Sequence, residues 1–75
     1  MADNKIVDAR GLSCPEPVIM AKSAMRQIGL GRVEVLVDVS VSKDNVKRAA
    51  ELSGWAVEVA ELPGQEYRII ISKDS

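Results

Sequence analysis

From Val33 to Asp38 the chain reads Val-Glu-Val-Leu-Val-Asp, with a β-branched residue at every second position. That period belongs to a strand with one covered face. The alternation returns from Trp55 to Glu61 and again from Glu66 to Ser72, and a shorter run, Lys5 to Ala9, predicts one more strand, closed by Arg10-Gly11. Between these runs the period becomes helical. Pro15 to about Ile28 places Val18, Ala21, Met25 and Ile28 on one stripe and ends at Gly29-Leu30-Gly31. A second helix is predicted from Ser40 or Ser42, both candidate N-caps, to about Ser53, with Gly54 as its stop. It carries Val46, Ala49, Ala50 and Ser53 on one side and Asp44, Lys47, Arg48 and Glu51 on the other.

The resulting order is β-α-β-α-β-β, and the faces agree with one another. Val33, Val35 and Val37 share a side, as do Trp55, Val57 and Val59, whereas Glu34 and Glu58 point away. Two helices over one face of a mixed four-stranded sheet make an α+β fold, a two-layer α/β sandwich whose other sheet face is open to water. The last hairpin has a parity constraint. Pairing Val57 and Val59 with Tyr67, Ile69 or Ile71 on the core face requires an odd loop, which Pro63-Gly64-Gln65 satisfies. A single domain over residues 5–72 is expected, with short tails at 1–4 and 73–75.

Composition narrows the chemistry. A chain of 75 residues buries only a little over ~60% of its unfolded surface, which leaves no room for a deep cofactor pocket, and no cofactor is expected. A formal net charge of −1, one Trp, one Tyr and no Phe give neither a basic field nor a stacking platform, so direct nucleic-acid binding is not expected. No apolar run reaches spanning length and Met1-Ala2-Asp3-Asn4 lacks signal-peptide character, so no membrane association and a cytoplasmic setting are expected. The chain has no histidine and one cysteine. A Cys–His catalytic pair within the chain, a Cys-x-x-Cys redox couple and a zinc site therefore fall away, and no metal site is expected.

The one cysteine is Cys14, in Leu12-Ser13-Cys14-Pro15-Glu16-Pro17. Proline is tolerated in the first helical turn, and Ser13 and Glu16 have capping-box spacing. A thiol there meets unpaired backbone N–H groups and the positive end of a helix dipole, which lower a pKa of about 8.5 toward roughly 3.5–7.5 in documented cases. Helical phase also places Cys14 near the buried stripe, so a packing cysteine and a nucleophile at the rim of the core both remain open. Glu16 opposes the thiolate unless it folds back as the capping acceptor, and Arg10 either compensates from the preceding loop or is a solvated charge. Asp8 bonds the loop backbone or simply ends its strand. Ile19 and Met20 fall off the buried stripe one turn beyond Cys14, as a docking pair for a protein partner or as scattered surface hydrophobes.

Asp8-Ala9-Arg10-Gly11-Leu12-Ser13-Cys14-Pro15-Glu16-Pro17 resembles the opening motif of the TusA/SirA-like sulfur carrier family, and the likeness runs from about Lys5 to Ile71. Membership implies a two-layer sandwich whose Cys-Pro-x-Pro cysteine accepts sulfane sulfur as a persulfide and passes it on. Cys14 is then the persulfide carrier of a sulfurtransferase-type protein, and Pro15 and Pro17 shape its helix start. Asp8, Arg10, Gly11, Ser13 and Glu16 support it, and Ile19 and Met20 serve docking. The resemblance implies donor and acceptor proteins as partners. Donors include cysteine desulfurases and rhodanese-like proteins, and acceptors include tRNA-thiolation relays and sulfur-oxidation or molybdenum-cofactor pathways. Asp38-Val39-Ser40-Val41-Ser42 departs from the Asp-Asp-Pro-Ala-like stretch of the tRNA-thiolation member. Asn45 to Ala50, followed by Gly54, is similar to the N-terminal domain of the YedF branch, which is linked to selenium metabolism and often carries a further DsrE-like domain. A thiol redox sensor and a non-catalytic protein or RNA interaction domain are the rival readings.

Overall fold

The computed structural model describes residues 3–12 and 16–73. The elements are β1 (Asp3–Asp8), α1 (Glu16–Ile28), β2 (Gly31–Val37), α2 (Ser40–Leu52), β3 (Ala56–Leu62) and β4 (Glu66–Lys73). The four strands lie in the order β1-β2-β4-β3, with β1 parallel to β2 and both other pairs antiparallel. The expected α+β fold with a mixed sheet is therefore present.

Register follows from the alternating residues. Val33 pairs with Ile71 and Val35 with Ile69 across β2 and β4, and Val57 and Val59 meet the same two isoleucines from β3. Val33, Val35, Val37, Ile69 and Ile71 are fully buried. Leu62 pairs with Glu66, which leaves the odd three-residue turn that the parity argument requires. Gly64 (φ +80°) and Gln65 (φ +63°) both take left-handed backbone there. β1 begins at Asp3 and ends at Asp8, although Ala9 still donates its N–H to the Leu36 carbonyl at 2.8 Å. β3 begins one residue late because Trp55 gives its N–H to Ala50 (3.1 Å) instead of a strand partner. β4 continues one residue beyond Ser72, to Lys73.

Both helices lie on one sheet face, α1 over β1 and β2, α2 chiefly over β3 and β4. Alanines at the contact let them approach closely: Ala21, Ala24 and Ala50 are all buried. Two details of the predicted stripes are corrected. On α1, Pro17 and Ala24 join Ala21 and Met25 inside, while Val18 and Ile28 are half-buried, so the stripe is centred slightly to one side of its expected line. On α2, Ser42 is buried and Ser53 lies beyond the helix end, its hydroxyl donating to the Ala49 carbonyl at 2.9 Å.

The start of α2 also differs from expectation. Neither Ser40 nor Ser42 is the N-cap; that position falls to Val39, in extended backbone (φ −132°, ψ 131°), with no side-chain cap bond. Ser40 is already helical and Ser42 faces the core, so packing has overridden capping preference. The other end is closed fully. Gly54 (φ +84°) donates to Glu51 and Trp55 to Ala50, the paired bonds of a Schellman motif, and Trp55 enters the core beside Ala50. The uncovered sheet face carries Glu34 3.6 Å from Arg68, an exposed Ile6, and the half-buried Leu36 and Ile70.

Candidate functional site

Parallel β1 and β2 each run into a helix at the same sheet end, and antiparallel β4 starts there. Residues 9–12, Asp38, the starts of both helices and the 63–65 turn therefore gather at one end of the molecule. Ser13, Cys14 and Pro15 lie outside the described residues, so the capping box and the setting of the thiol are not part of this geometry. What surrounds them on both sides of the chain is.

The approach to Cys14 is a tight turn. The Ala9 carbonyl accepts from the Leu12 N–H at 3.3 Å, and Gly11 sits third of the four residues with φ +80°. Positive φ at that place is the mark of a type II turn, and it is why glycine stands there. Asp8 takes both roles left open by the sequence. It is the last residue of β1, and its Oδ1 accepts the Arg10 backbone N–H at 3.2 Å.

The Arg10 side chain folds back on the same carboxylate. Nε reaches Asp8 Oδ1 and Nη2 reaches Asp8 Oδ2, both at 2.9 Å, a two-pronged pair. Nη1 lies 3.4 Å from Glu66 Oε1, at the start of β4. Hydrogen bonds from the Arg10 side chain and then its backbone N–H hold the Asp8 carboxyl down to about 2, against an ordinary 3.8. The Arg10 guanidinium is raised still further above its usual range, first by Asp8 and then by Glu66. Its charge, at an exposed side chain, is thus met by two carboxylates.

A third carboxylate reaches the loop from the connection after β2. Asp38 Oδ2 accepts the Gly11 N–H at 3.1 Å. Lys43 Nζ of α2 lies 4.7 Å from the centre of the Tyr67 ring on β4, adding a cation–π contact to this end. Glu16 is exposed in the first turn of α1, and Pro17 is fully buried behind it. Ile19 is 57% exposed, but Met20 is half-buried and packs on the core, so only the first stands fully clear of the stripe. Both line a shallow groove of about 310 Å3 between β1 and α1, with Val7 and Ala24 at its floor. Lys5 Nζ donates to Gln27 Oε1 across it. Among the described residues, no three acidic, histidine or cysteine side chains gather to hold a metal ion, and no helix is long and apolar enough to cross a membrane.

Asp38 and Glu66 were not singled out by sequence reasoning. Asp38 follows directly on β2, the strand that pairs with β1, a position visible only once β1 and β2 are known to be neighbours. Glu66 gives no signal from 56 residues away.

A two-layer α+β sandwich with a glycine turn pinned ahead of its one cysteine is the class of protein defined here. The chain belongs to the TusA family: the model described as Sulfurtransferase TusA matches residues 5–73. A Methanocaldococcus jannaschii protein named as a candidate sulfur carrier is 37% identical over 70 residues, spanning 92% of this chain and 93% of its own. A similarly named Thermotoga maritima protein is 32% identical over 69 residues, covering 89% and 87%. The crystal structure of a SirA-like protein from Desulfitobacterium hafniense superposes with a TM-score of 0.90 at 36% identity, covering 95% of this chain and 99% of that one.

Proposed function

We propose that this protein is a sulfur carrier that cycles through a persulfide on Cys14. The observation that carries the reading is family membership across residues 5–73, a span whose one thiol is Cys14. The Cys14 thiolate attacks the outer sulfur of a donor persulfide. The donor's S–S bond breaks, its thiolate leaves with the electron pair, and Cys14 holds the sulfane sulfur. An acceptor thiolate then attacks that terminal sulfur and releases Cys14 unchanged, so the cycle has no net oxidation. Cys14 precedes the first helical residue, Glu16, by two positions, where the dipole of a thirteen-residue helix favours an anion.

In this reading Asp8, Arg10 and Gly11 hold the approach to the thiol. Ser13, Pro15, Glu16 and Pro17 shape the helix start, and Ile19 and Met20 meet the protein partner. Donor and acceptor are proteins, a cysteine desulfurase or rhodanese-like protein upstream, with selenium as the other cargo the same thiol would take. The cytoplasm, where thiols stay reduced, is its compartment. Incubation with a cysteine desulfurase and cysteine, followed by intact-mass measurement, tests the reading. One added sulfur on the wild type and none on Cys14→Ser is expected. A wild type that stays unmodified with desulfurase and rhodanese donors alike overturns it.

A further inference from the structure

We propose that Asp38 is a positioning residue for the sulfur-bearing thiol, acting by fixing the orientation of the Arg10–Gly11 peptide. The proposal rests on the reading of Cys14 as the carrier.

Type I and type II turns share their closing bond and differ in the central peptide. In type I the second and third residues have ψ near −30° and φ near −90°; in type II the values are about +120° and +80°. Passing from one to the other turns the central N–H and C=O over. At Ala9–Leu12 the closing bond serves either form. Gly11, at φ +80°, is a residue type that takes both cheaply. The conformational preference of Gly11 therefore does not choose between the two.

Asp38 does. Its Oδ2 receives the Gly11 N–H at 3.1 Å, the N–H of the central peptide. The Asp8 bond to Arg10 N–H belongs to the preceding peptide and leaves the central one free to turn. A flip would put the Arg10 carbonyl oxygen where the N–H now points, against a carboxylate. Asp38 thus attracts one orientation and repels the other. Gly11 stands three residues before Cys14, so a loop of one conformation presents the thiol with one set of neighbouring dipoles. A loop of two conformations spends part of its time in the wrong one.

The test compares wild type, Asp38→Ala and Asp38→Asn, the last keeping a neutral acceptor. The readouts are the Gly11 amide resonance with its hydrogen exchange, the pH profile of Cys14 alkylation, and the rate of sulfur loading from a cysteine desulfurase. Asp38→Ala is expected to speed Gly11 amide exchange, shift the alkylation profile, and slow loading by about three- to tenfold, as loss of a charged hydrogen-bond partner at an exposed site predicts. Asp38→Asn is expected to recover most of all three. Asp38→Ser, one bond shorter, replaces the alanine variant should that fail to fold. Loading and alkylation unchanged in Asp38→Ala beside a wild type that loads normally would overturn the proposal. So would slowed loading with an unaltered Gly11 amide. A wild type that takes no sulfur overturns the carrier reading instead, while Gly11 exchange still reports whether Asp38 holds the peptide.

Discussion

Two connections carry the chain from strand to helix at the same end of the sheet, residues 9–15 after β1 and Asp38-Val39 after β2. The first is long and its described half is tied at three points: Ala9 to Leu36, Arg10 to Asp8 and Glu66, and Gly11 to Asp38. The second is two residues long, and its helix starts on a valine without a side-chain cap. The single carboxylate of the short connection is spent on the long one. Fold stability alone would favour a capping residue before Ser40 and would not need three carboxylates around Arg10-Gly11. The difference shows local preference given up at one helix start and conformational definition concentrated at the other, the one that carries Cys14.

Replacing Gly11 gives the largest expected change in that balance. Among the described residues beyond its chain neighbours, an added Cβ meets nothing within 4 Å, so the expected effect of Gly11→Ala is that of forcing a side chain into left-handed backbone, about 1–2 kcal/mol of lost stability. Denaturant melts measure it, and an unchanged midpoint would mean that the turn does not need positive φ. Sulfur loading should slow as well. Because Gly11 and Asp38 act on one peptide, Gly11→Ala and Asp38→Ala should be non-additive in loading rate. Additive effects would separate the two residues and dissolve the contrast between the connections.

The second helix start offers the reverse experiment. Val39 has the extended backbone of an N-cap residue and is 46% exposed, so little apolar contact is lost on substitution. Val39→Ser supplies the missing acceptor and should raise stability by about 0.5–1 kcal/mol, with sulfur loading unchanged. A stabilised protein that also loads sulfur more slowly would show that this start, too, belongs to the site.

How much of this was legible in the sequence follows the range of each interaction. Alternation in Val33–Val37 and Trp55–Val59 is a property of neighbours in the chain, and it specified the strands, the covered face and the odd hairpin loop. The buried side of α1 was nearly right because 3.6-residue phase is also local; Ala24 was missed because the stripe was centred on the larger Val18 and Ile28, which are only half-buried. The N-cap of α2 failed where propensity met packing: Ser42 had the right chemistry for a cap and the right position for the core, and the core prevailed. At the site, the motif around Cys14 was readable as a motif, and Asp8 and Arg10 as residues of interest. Their partners were not. Gly11 and Asp38 are 27 residues apart, and Arg10 and Glu66 are 56 apart. Only the strand order β1-β2-β4 brings them together.

The smallest expected effect tests the outermost tie of the long connection. Asp8 titrates near 2 rather than 3.8 because Arg10 bonds its ionised form from both side chain and backbone. The folded protein therefore holds this proton less tightly than the unfolded chain does. The stabilisation is fully present above pH 3.8 and disappears as pH falls from there toward 2. Asp8→Asn removes the charge while keeping an acceptor for the Arg10 N–H. Thermal melts of the two proteins should differ by a constant small amount near neutrality, draw together below pH 3.8, and coincide only once the pH is below about 2. Added salt should shrink the neutral gap, since the pair is exposed. A full-sized gap that persists as the pH falls through 2 would mean that Asp8 acts through the shape of the turn rather than through its charge. Asp8 would then stand beside Asp38 as a holder of the backbone, and the long connection would be defined by geometry at both of its acidic contacts.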